Sequence, residues 1–368
     1  STVETAEDVG CPLRPRRGAD EVVVTHATLP NGRRMTLLKT LLTSACENDC
    51  LYCGCRAGRD TQRATFKPEE FARLFMQLQR AGIVEGLFLS SGVINGGVRT
   101  QDQIIACAEI LRRKLGFTGY LHLKIMPGAE KEQVLRSMQL ADRISINLEA
   151  PTPTRLARLA PRKDFERGLL APLRYAEEIR RGIPAQKGWH GRWPSSTTQY
   201  VVGGSDETDL ELLSITAALI KNVSLVRAYF SAFTPLRDTP LENKAATAPI
   251  RQDRLYQASY LLRDYGFDLE ELPFEGQGFL PTRVDPKTAW AETHLSGRPL
   301  EINRASREEL LRVPGLGPKS VQAILDARRS GLIRHVENLA RLTATAQRAA
   351  PYLLFNGRKT PQQLQFAF

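Results

Sequence analysis

The chain has 368 residues, 42% hydrophobic and 25% charged, the make-up of an ordinary globular protein with one large domain and a small one. No apolar run approaches the ~18–20 residues that span a bilayer and no apolar secretory core opens the chain, which argues against membrane and secreted classes and for the cytoplasm. The net charge is +11, and +7 of it falls between residues 298 and 368, where 12 basic residues face 5 acidic ones; such a patch suits a polyanionic partner, and a solvated basic surface would give the same count.

In chain order, residues 1–34 read as an irregular N-terminal extension. From Met35 onward, strand-like apolar runs recur at 35–42 (MTLLKTLL), 86–91 (GLFLSS), 120–125 (YLHLKI), 143–148 (RISINL), 198–202 (TQYVV) and 225–233 (LVRAYFSAF). Helical patterns alternate with them at 67–81, 101–114, 129–140, 165–181 and 206–221, and another follows at 251–265. Pro68 and Asp206 read as helix-start signals. Six strands each followed by a helix predict an α/β fold over 35–267, with a parallel sheet and right-handed crossovers, either an open sheet or a partial barrel.

Residues 268–300 are rich in Pro, Gly and Glu and read as a linking or packing segment. A small all-α domain is expected over 301–368. It opens with Ser306-Arg307-Glu308-Glu309 at capping-box spacing, followed by the turn Pro314-Gly315-Leu316-Gly317 and Pro318 at the start of a second helix.

Four of the six cysteines fall within ten residues, at Cys46, Cys50, Cys53 and Cys55, directly after the first strand of the series. In a parallel α/β fold that is the C-terminal rim of the sheet, where active sites are built. Three thiolates at Cys-x3-Cys-x2-Cys can hold three irons of a [4Fe–4S] cubane and leave the fourth iron open. A four-cysteine zinc site recruiting Cys55 is an alternative, although zinc sites usually combine two separated pairs. A ferredoxin-like cluster would need a fourth ligand, and Cys55 stands too close to Cys53 to supply it comfortably. Cys107 lies in a helical apolar pattern and reads as core.

Other strand ends carry candidate groups. Ser90, Ser91 and Gly92 end the second strand. His122 and Lys124 share one face of the third, and Ser145, Asn147 and Glu149 one face of the fourth. Val202-Gly203-Gly204 ends the fifth. Each polar side chain there could equally be simply hydrated. In the C-terminal hairpin, backbone N–H groups at a helix start favour an anion, with Gly315 and Gly317 giving close approach and Lys319 and Ser320 adding donors. An ordinary αα-hairpin used for packing is the alternative. The stretch 332–353 keeps helical periodicity but lacks Gly-x-Gly, so any second hairpin is degenerate.

The cysteine pattern with Tyr52 beside Cys53, at the end of strand one of a (βα)6 series, resembles the radical S-adenosylmethionine superfamily. INRASREELLRVPGLGPKSVQAIL resembles a helix-hairpin-helix motif, which usually grips the DNA backbone without reading sequence. The resemblance implies a partial (βα)6 barrel, a [4Fe–4S] cluster on Cys46, Cys50 and Cys53, and S-adenosylmethionine on the open iron, cleaved by one electron to a 5′-deoxyadenosyl radical. It implies cofactor contacts from Tyr52, Ser90, Ser91, Gly92, Lys124, Ser145, Asn147, Glu149, Val202 and Gly203. The chain departs from the family's Gly-Gly-Glu at Ser90-Ser91-Gly92, so hydroxyls and backbone would have to meet the methionine amino group. Motifs spread over residues 8–350 are similar to a subfamily named for DNA modification or repair. That resemblance implies DNA as substrate class, an electron donor and a uracil-DNA-glycosylase-like partner. RNA or protein as substrate, and a non-catalytic iron–sulfur DNA-binding or redox-sensing protein, are the competing expectations. Cys11 and Cys55 are the thiols to watch for hydrogen transfer to a radical.

Overall fold

The computed structural model describes residues 3–4, 24–28 and 34–359. The chain divides into two compact units, residues 1–207 with 218–248, and residues 208–217 with 249–368.

The first unit is built on a sheet whose order follows the chain: β1 (Val3–Glu4), β2 (Val24–Thr28), β3 (Arg34–Leu41), β4 (Gly86–Ser90), β5 (Leu121–Lys124), β6 (Arg143–Ser145), β7 (Ser195–Val202) and β8 (Leu225–Ala232). From β3 to β8 every neighbouring pair is parallel. Among the described strands β8 does not pair back with β1, so the sheet stays an open half-barrel. The two faces follow from alternation. Leu87, Leu89, Leu121, Leu123 and Ile144 are fully buried on one side. Crossover helices α1 (Pro68–Arg80), α2 (Gly97–Glu109), α3 (Lys131–Met138), α4 (Pro153–Ala157), α5 (Ala171–Gly182) and α6 (Asp209–Val223) lie between the strands in sequence. Burying a Leu or Ile side chain is worth about 1.5–3 kcal/mol, so this apolar side holds the sheet to its helices. The alternate residues, Phe88, His122, Lys124, Arg143 and Ser145, share the opposite, concave side.

All six predicted parallel strands are present. Two local expectations need correction. Residues 24–28, taken as irregular, form β2, antiparallel to β3 from Val24↔Leu38 to Thr28↔Arg34; the run Val22-Val23-Val24-Thr25 was its signal. Asp206 does not cap α6. It sits at φ +60 and pairs with Lys244 at 2.5 Å. The cap is Thr208, whose hydroxyl accepts from the Glu211 N–H at 3.1 Å while its own N–H donates to the Glu211 carboxylate at 2.7 Å.

In the second unit, the buried Asp209 carboxylate accepts from Arg251 Nε at 2.7 Å and from the Leu280 N–H at 2.9 Å. Here α7 (Pro249–Asp264) is followed by α8 (Pro286–His294), inside the segment expected to link; Asp285 caps α8 by accepting from the Thr288 N–H at 3.2 Å. Helices α9 (Arg307–Arg312) and α10 (Pro318–Ser330) form the expected hairpin, with the Ser306/Glu309 capping box in place. Short helices α11 (Val336–Ala340) and α12 (Ala346–Ala349) come next. The region is not all-α as expected, because β9 (Leu300–Glu301), β10 (Leu353–Phe355) and β11 (Arg358–Lys359) pair into a small three-stranded sheet. Asn356 and Gly357, both at positive φ, turn β10 into β11, the two-residue hairpin chemistry expected of Asn-Gly.

Candidate functional site

The cysteine segment is an irregular loop over the C-terminal ends of β3 and β4, and the backbone at those ends fixes it. Gly92 N–H donates to Thr43 O at 2.7 Å, Glu47 N–H to Val93 O at 2.8 Å, and Leu51 N–H to Leu159 O at 2.8 Å. Arg63 closes the loop on itself, donating to the carbonyls of Ser44, Arg56 and Arg59 at 2.8, 2.9 and 3.1 Å. A Cβ at Gly92 would stand 2.1 Å from Ala45 O, so only glycine lets β4 approach the loop so closely.

Cys50 and Cys55 are buried; Cys46 and Cys53 are partly exposed. Two sulfurs accept backbone hydrogen bonds, Cys46 from the Val93 N–H at 3.3 Å and Cys53 from the Cys55 N–H at 3.4 Å. Such N–H···S bonds surround iron–sulfur thiolates and tune them. Burial pushes the Cys50 thiol up to about 11, against the pull of the Lys163 ammonium. Among the described residues no three His, Cys, Asp or Glu side chains converge on one ion position. Cys11 lies outside the described residues. Cys107 is fully buried in α2, as expected of core.

Beside the thiols is a buried ion pair. Lys163 Nζ and Glu149 Oε1 are 2.8 Å apart, with side chains 10% and 5% exposed. Burial alone would lower the Lys163 ammonium, but Cys50 and Glu149 outweigh it and raise it. Burial alone would raise the Glu149 carboxyl, but Lys163 holds it below its ordinary range, with help from the Tyr52 hydroxyl. Burial next to Glu149 pushes Tyr52 itself well up, so it stays a neutral phenol. Glu149 is at φ +65, a left-handed conformation that costs a non-glycine residue about 1–3 kcal/mol. Its Oε2 is buried without a hydrogen-bond partner.

The structure thus brings Tyr52, Glu149 and the thiols together, and adds Lys163, which the sequence reading missed. Arg162-Lys163-Asp164 reads as a solvated charge run, and nothing in the spacing shows a lysine folding back 14 residues. Ser91, the residue after β4, has a buried, unpartnered Oγ, and Ser90, which ends the strand, is half-buried next to it. Lys124 bonds Asn147, and with Ser145 it stands a row deeper in the half-barrel than Asn147. Val202 O accepts from the Phe233 N–H and the Thr247 hydroxyl at 2.8 Å each, and the Gly203 N–H is taken by Glu207.

In the hairpin, Gly315 takes φ +83, with the Thr345 hydroxyl donating to its carbonyl at 2.5 Å. Lys287 Nζ, buried, donates to Leu316 O at 2.5 Å. Gly317 precedes α10, and a Cβ there would lie 3.3 Å from the Tyr265 hydroxyl. Lys319 is exposed on the first turn, and the Ser320 hydroxyl donates to Thr343 Oγ1 at 3.0 Å.

A parallel half-barrel with clustered thiols at its C-terminal rim, followed by a helical hairpin, defines a class of cofactor-dependent α/β protein. Residues 40–183 match the radical SAM superfamily and residues 298–327 the helix-hairpin-helix motif. Residues 40–183 therefore carry a radical S-adenosylmethionine domain, a family that uses a [4Fe–4S] cluster and S-adenosylmethionine, and residues 298–327 a helix-hairpin-helix motif. Similar solved structures include HydG, a maturase of the [FeFe]-hydrogenase, at 15% identity over 62% of this chain and 49% of that one, TM-score 0.49. The HydG of Carboxydothermus hydrogenoformans matches at 14% identity over 62% and 51%, TM-score 0.49. Methylornithine synthase (PylB) matches at 16% identity over 62% of each, TM-score 0.47. The match spans about half the length of the two HydG chains. No curated protein matches the chain in sequence. Among the described residues no helix is long and apolar enough to cross a membrane.

Proposed function

We propose that the chain is a radical S-adenosylmethionine enzyme acting on a nucleic acid, with DNA the first candidate. The observation that carries the reading is the set of Cys46, Cys50 and Cys53 at the rim, Cys46 and Cys53 accepting backbone N–H bonds, and Cys50 and Cys53 beside the buried Glu149–Lys163 pair.

When bound and reduced, the two cofactors supply a 5′-deoxyadenosyl radical that takes a hydrogen from the substrate. The chain's part is to hold the cluster through Cys46, Cys50 and Cys53 and to offset the thiolates with the Lys163 ammonium. The unpartnered Ser91 Oγ and Glu149 Oε2, with Asn147, offer the donors and acceptors that an amino acid and a ribose need. Tyr52 stands beside Glu149 and the thiols as a neutral phenol. An external protein supplies the electron. The hairpin contributes phosphate contacts through the start of α10 and Lys319, which position a nucleic acid without reading its bases. A target in a duplex would have to be drawn out of the stack, at a cost of a few kcal/mol.

The test is anaerobic: reconstituted, reduced protein with S-adenosylmethionine and deuterium-labelled duplex DNA, single-stranded DNA or RNA, followed by mass analysis of 5′-deoxyadenosine. Deuterium carried over from one of the DNA substrates is expected. Carry-over from RNA alone would move the substrate to RNA. No cleavage by protein with an intact cluster would reject the radical reading.

A further inference from the structure

The second unit carries a cavity that neither the cysteine loop nor the hairpin's phosphate contact uses. Its volume is about 590 Å³, and Tyr260, Arg263, Asp264, Tyr265, Arg307 and Pro318 line it. All six belong to that unit. Tyr260, Arg263 and Asp264 come from the last turn of α7, where positions three and four apart share one face, and Tyr265 follows directly. Arg307 opens α9 and Pro318 opens α10, so both arms of the hairpin reach the cavity. The contact with the turn is close: a Cβ at Gly317 would stand 3.3 Å from the Tyr265 hydroxyl. The volume falls in the ~300–1,000 Å³ range of sites for small ligands. A single nucleotide fits such a space, and a base still stacked in a duplex does not reach it.

The lining is flat and aromatic. Both phenol rings are half-buried, so packing holds them while part of each stays open to the cavity. Each is backed by a cation: the Arg263 guanidinium lies 5.0 Å from the Tyr260 centroid, and the Lys287 ammonium 4.5 Å from that of Tyr265. A cation occupies one face of a ring, so each tyrosine keeps one face at most for a planar guest. Arg263 and Asp264 form a fork, Nε donating to Oδ1 at 2.8 Å and Nη2 to Oδ2 at 2.6 Å. That pair is neutral and planar, and shapes the wall without charging it. The charge of the lining therefore comes from Arg307. It is exposed, and among the described residues it has no hydrogen-bond or ion-pair partner. Lys319, exposed directly after Pro318, adds a second cation to the same helix start.

We propose that the cavity takes the base of an unpaired nucleotide in the strand that the hairpin holds. Every base has a π-face that a tyrosine can stack on, so the pocket accepts bases without reading them. Arg307 suits the phosphate joined to that base, since a guanidinium only donates and a phosphate only accepts. A sugar or a small acid would use the cation and leave the rings idle. An uncharged aromatic compound would use the rings and leave the cation idle; a nucleotide uses both. The proposal rests on the reading of the hairpin as a nucleic-acid contact and not on the radical chemistry. It adds a preference to that reading. Phosphate contacts alone hold any backbone, whereas the cavity favours a strand with a base out of its stack, as in single strands, bulges and damaged pairs.

The experiment uses the full chain and the anisotropy of three labelled DNA duplexes: one fully paired, one with a single bulged 2-aminopurine, one with a bulged abasic residue. The same three are made in RNA. The bulged base should bind at least ~5-fold more tightly than either control, the fold-change that one base–aromatic stack supplies. Its 2-aminopurine emission should be quenched as the base stacks. Tyr260→Leu and Tyr265→Leu, each with the circular dichroism of the parent, should lower the ratio of bulged-base to abasic affinity towards 1. Tyr260→Phe and Tyr265→Phe keep the rings and should restore it. Lys319→Glu should weaken all three duplexes and keep their ratio. A preference shown by either nucleic acid supports the cavity. Equal binding of the bulged base and the abasic bulge overturns the proposal and leaves the hairpin reading standing, as does a ratio unchanged in both Leu variants. No binding of any duplex overturns the hairpin reading and this proposal together. Adenosine 5′-monophosphate, titrated alone, probes the other source of the same chemistry. If it binds through both tyrosines while the bulged base shows no preference, the cavity serves a free nucleotide and the proposal fails.

Discussion

Replacing Lys163 by Met tests whether the ion pair beside the thiols holds that part of the fold. At 2.8 Å, Lys163 and Glu149 attract each other by roughly 6 kcal/mol at an effective dielectric of about 20. Desolvation of both charges takes back most of this. Even so, the Glu149 carboxyl stays below its ordinary range and the Lys163 ammonium above its own, so attraction wins. Lys163→Met would leave a buried carboxylate without its cation, a loss of about 3–5 kcal/mol. Adding Glu149→Gln removes that orphaned charge and should recover much of the loss. The sign of the pH dependence follows. The pair's stabilisation is full between the ordinary values of about 4.3 and 10.4. It is lost as pH falls through the lowered Glu149 value or rises through the raised Lys163 value. The assay is urea unfolding of the cluster-free protein at pH 7, for the parent, both single variants and the double variant. A coupling energy indistinguishable from zero would refute the reasoning, because the pair would then contribute nothing beyond its separate side chains.

Three further outcomes are expected. Gly92→Ala puts a Cβ 2.1 Å from Ala45 O, so strand and loop must separate, at a cost of about 1–3 kcal/mol. Iron per chain after reconstitution should fall, and a parental value would show that the contact is dispensable. Lys319→Glu should weaken DNA binding at every sequence and reduce the slope of log K against log salt by about 1, read by fluorescence anisotropy. An unchanged slope would take Lys319 out of the interface. Burial lowers Lys287 to about 7. Between pH 7 and the ordinary value near 10.4 the unfolded chain therefore binds the extra proton, and the second unit gains stability as pH rises. Comparing melting of the parent and Lys287→Met at pH 7 and pH 9 by Trp290 fluorescence should show that gain in the parent alone. Parallel shifts would remove Lys287 as its source.

The parallel strands were legible because each carries alternating or continuous apolar residues between helical periods. The cysteine loop was legible because its chemistry is local in sequence. What the sequence hid depends on folding at a distance. Lys163 gains its role only when the chain after β6 folds back on Glu149, and Thr197 stands beside Ser145 across a gap of 52 residues that no pattern encodes. Helix α8 was obscured because a short helix needs little apolar surface; Trp290 and Ala291 carry much of its buried face, and Lys287 is buried as well. Asp206 shows the limit of cap statistics. Both Asp206 and Thr208 suit a helix start, and the choice fell to Thr208 because Glu211 stands three residues after it and returns the hydrogen bond.

Strand β2 runs antiparallel along β3 from Val24 to Thr28, on the side away from β4. β3 leads directly into the cysteine loop, and without β2 it would be the border of the sheet. Its free N–H and C=O groups would then offer a template to a strand from another molecule. A protein shortened to begin near Met35 would keep every cysteine of the loop and the whole parallel series, yet expose that border. Its failure would be self-association in concentrated, iron-free preparations, and a proline or lysine on the bared strand would be the remedy.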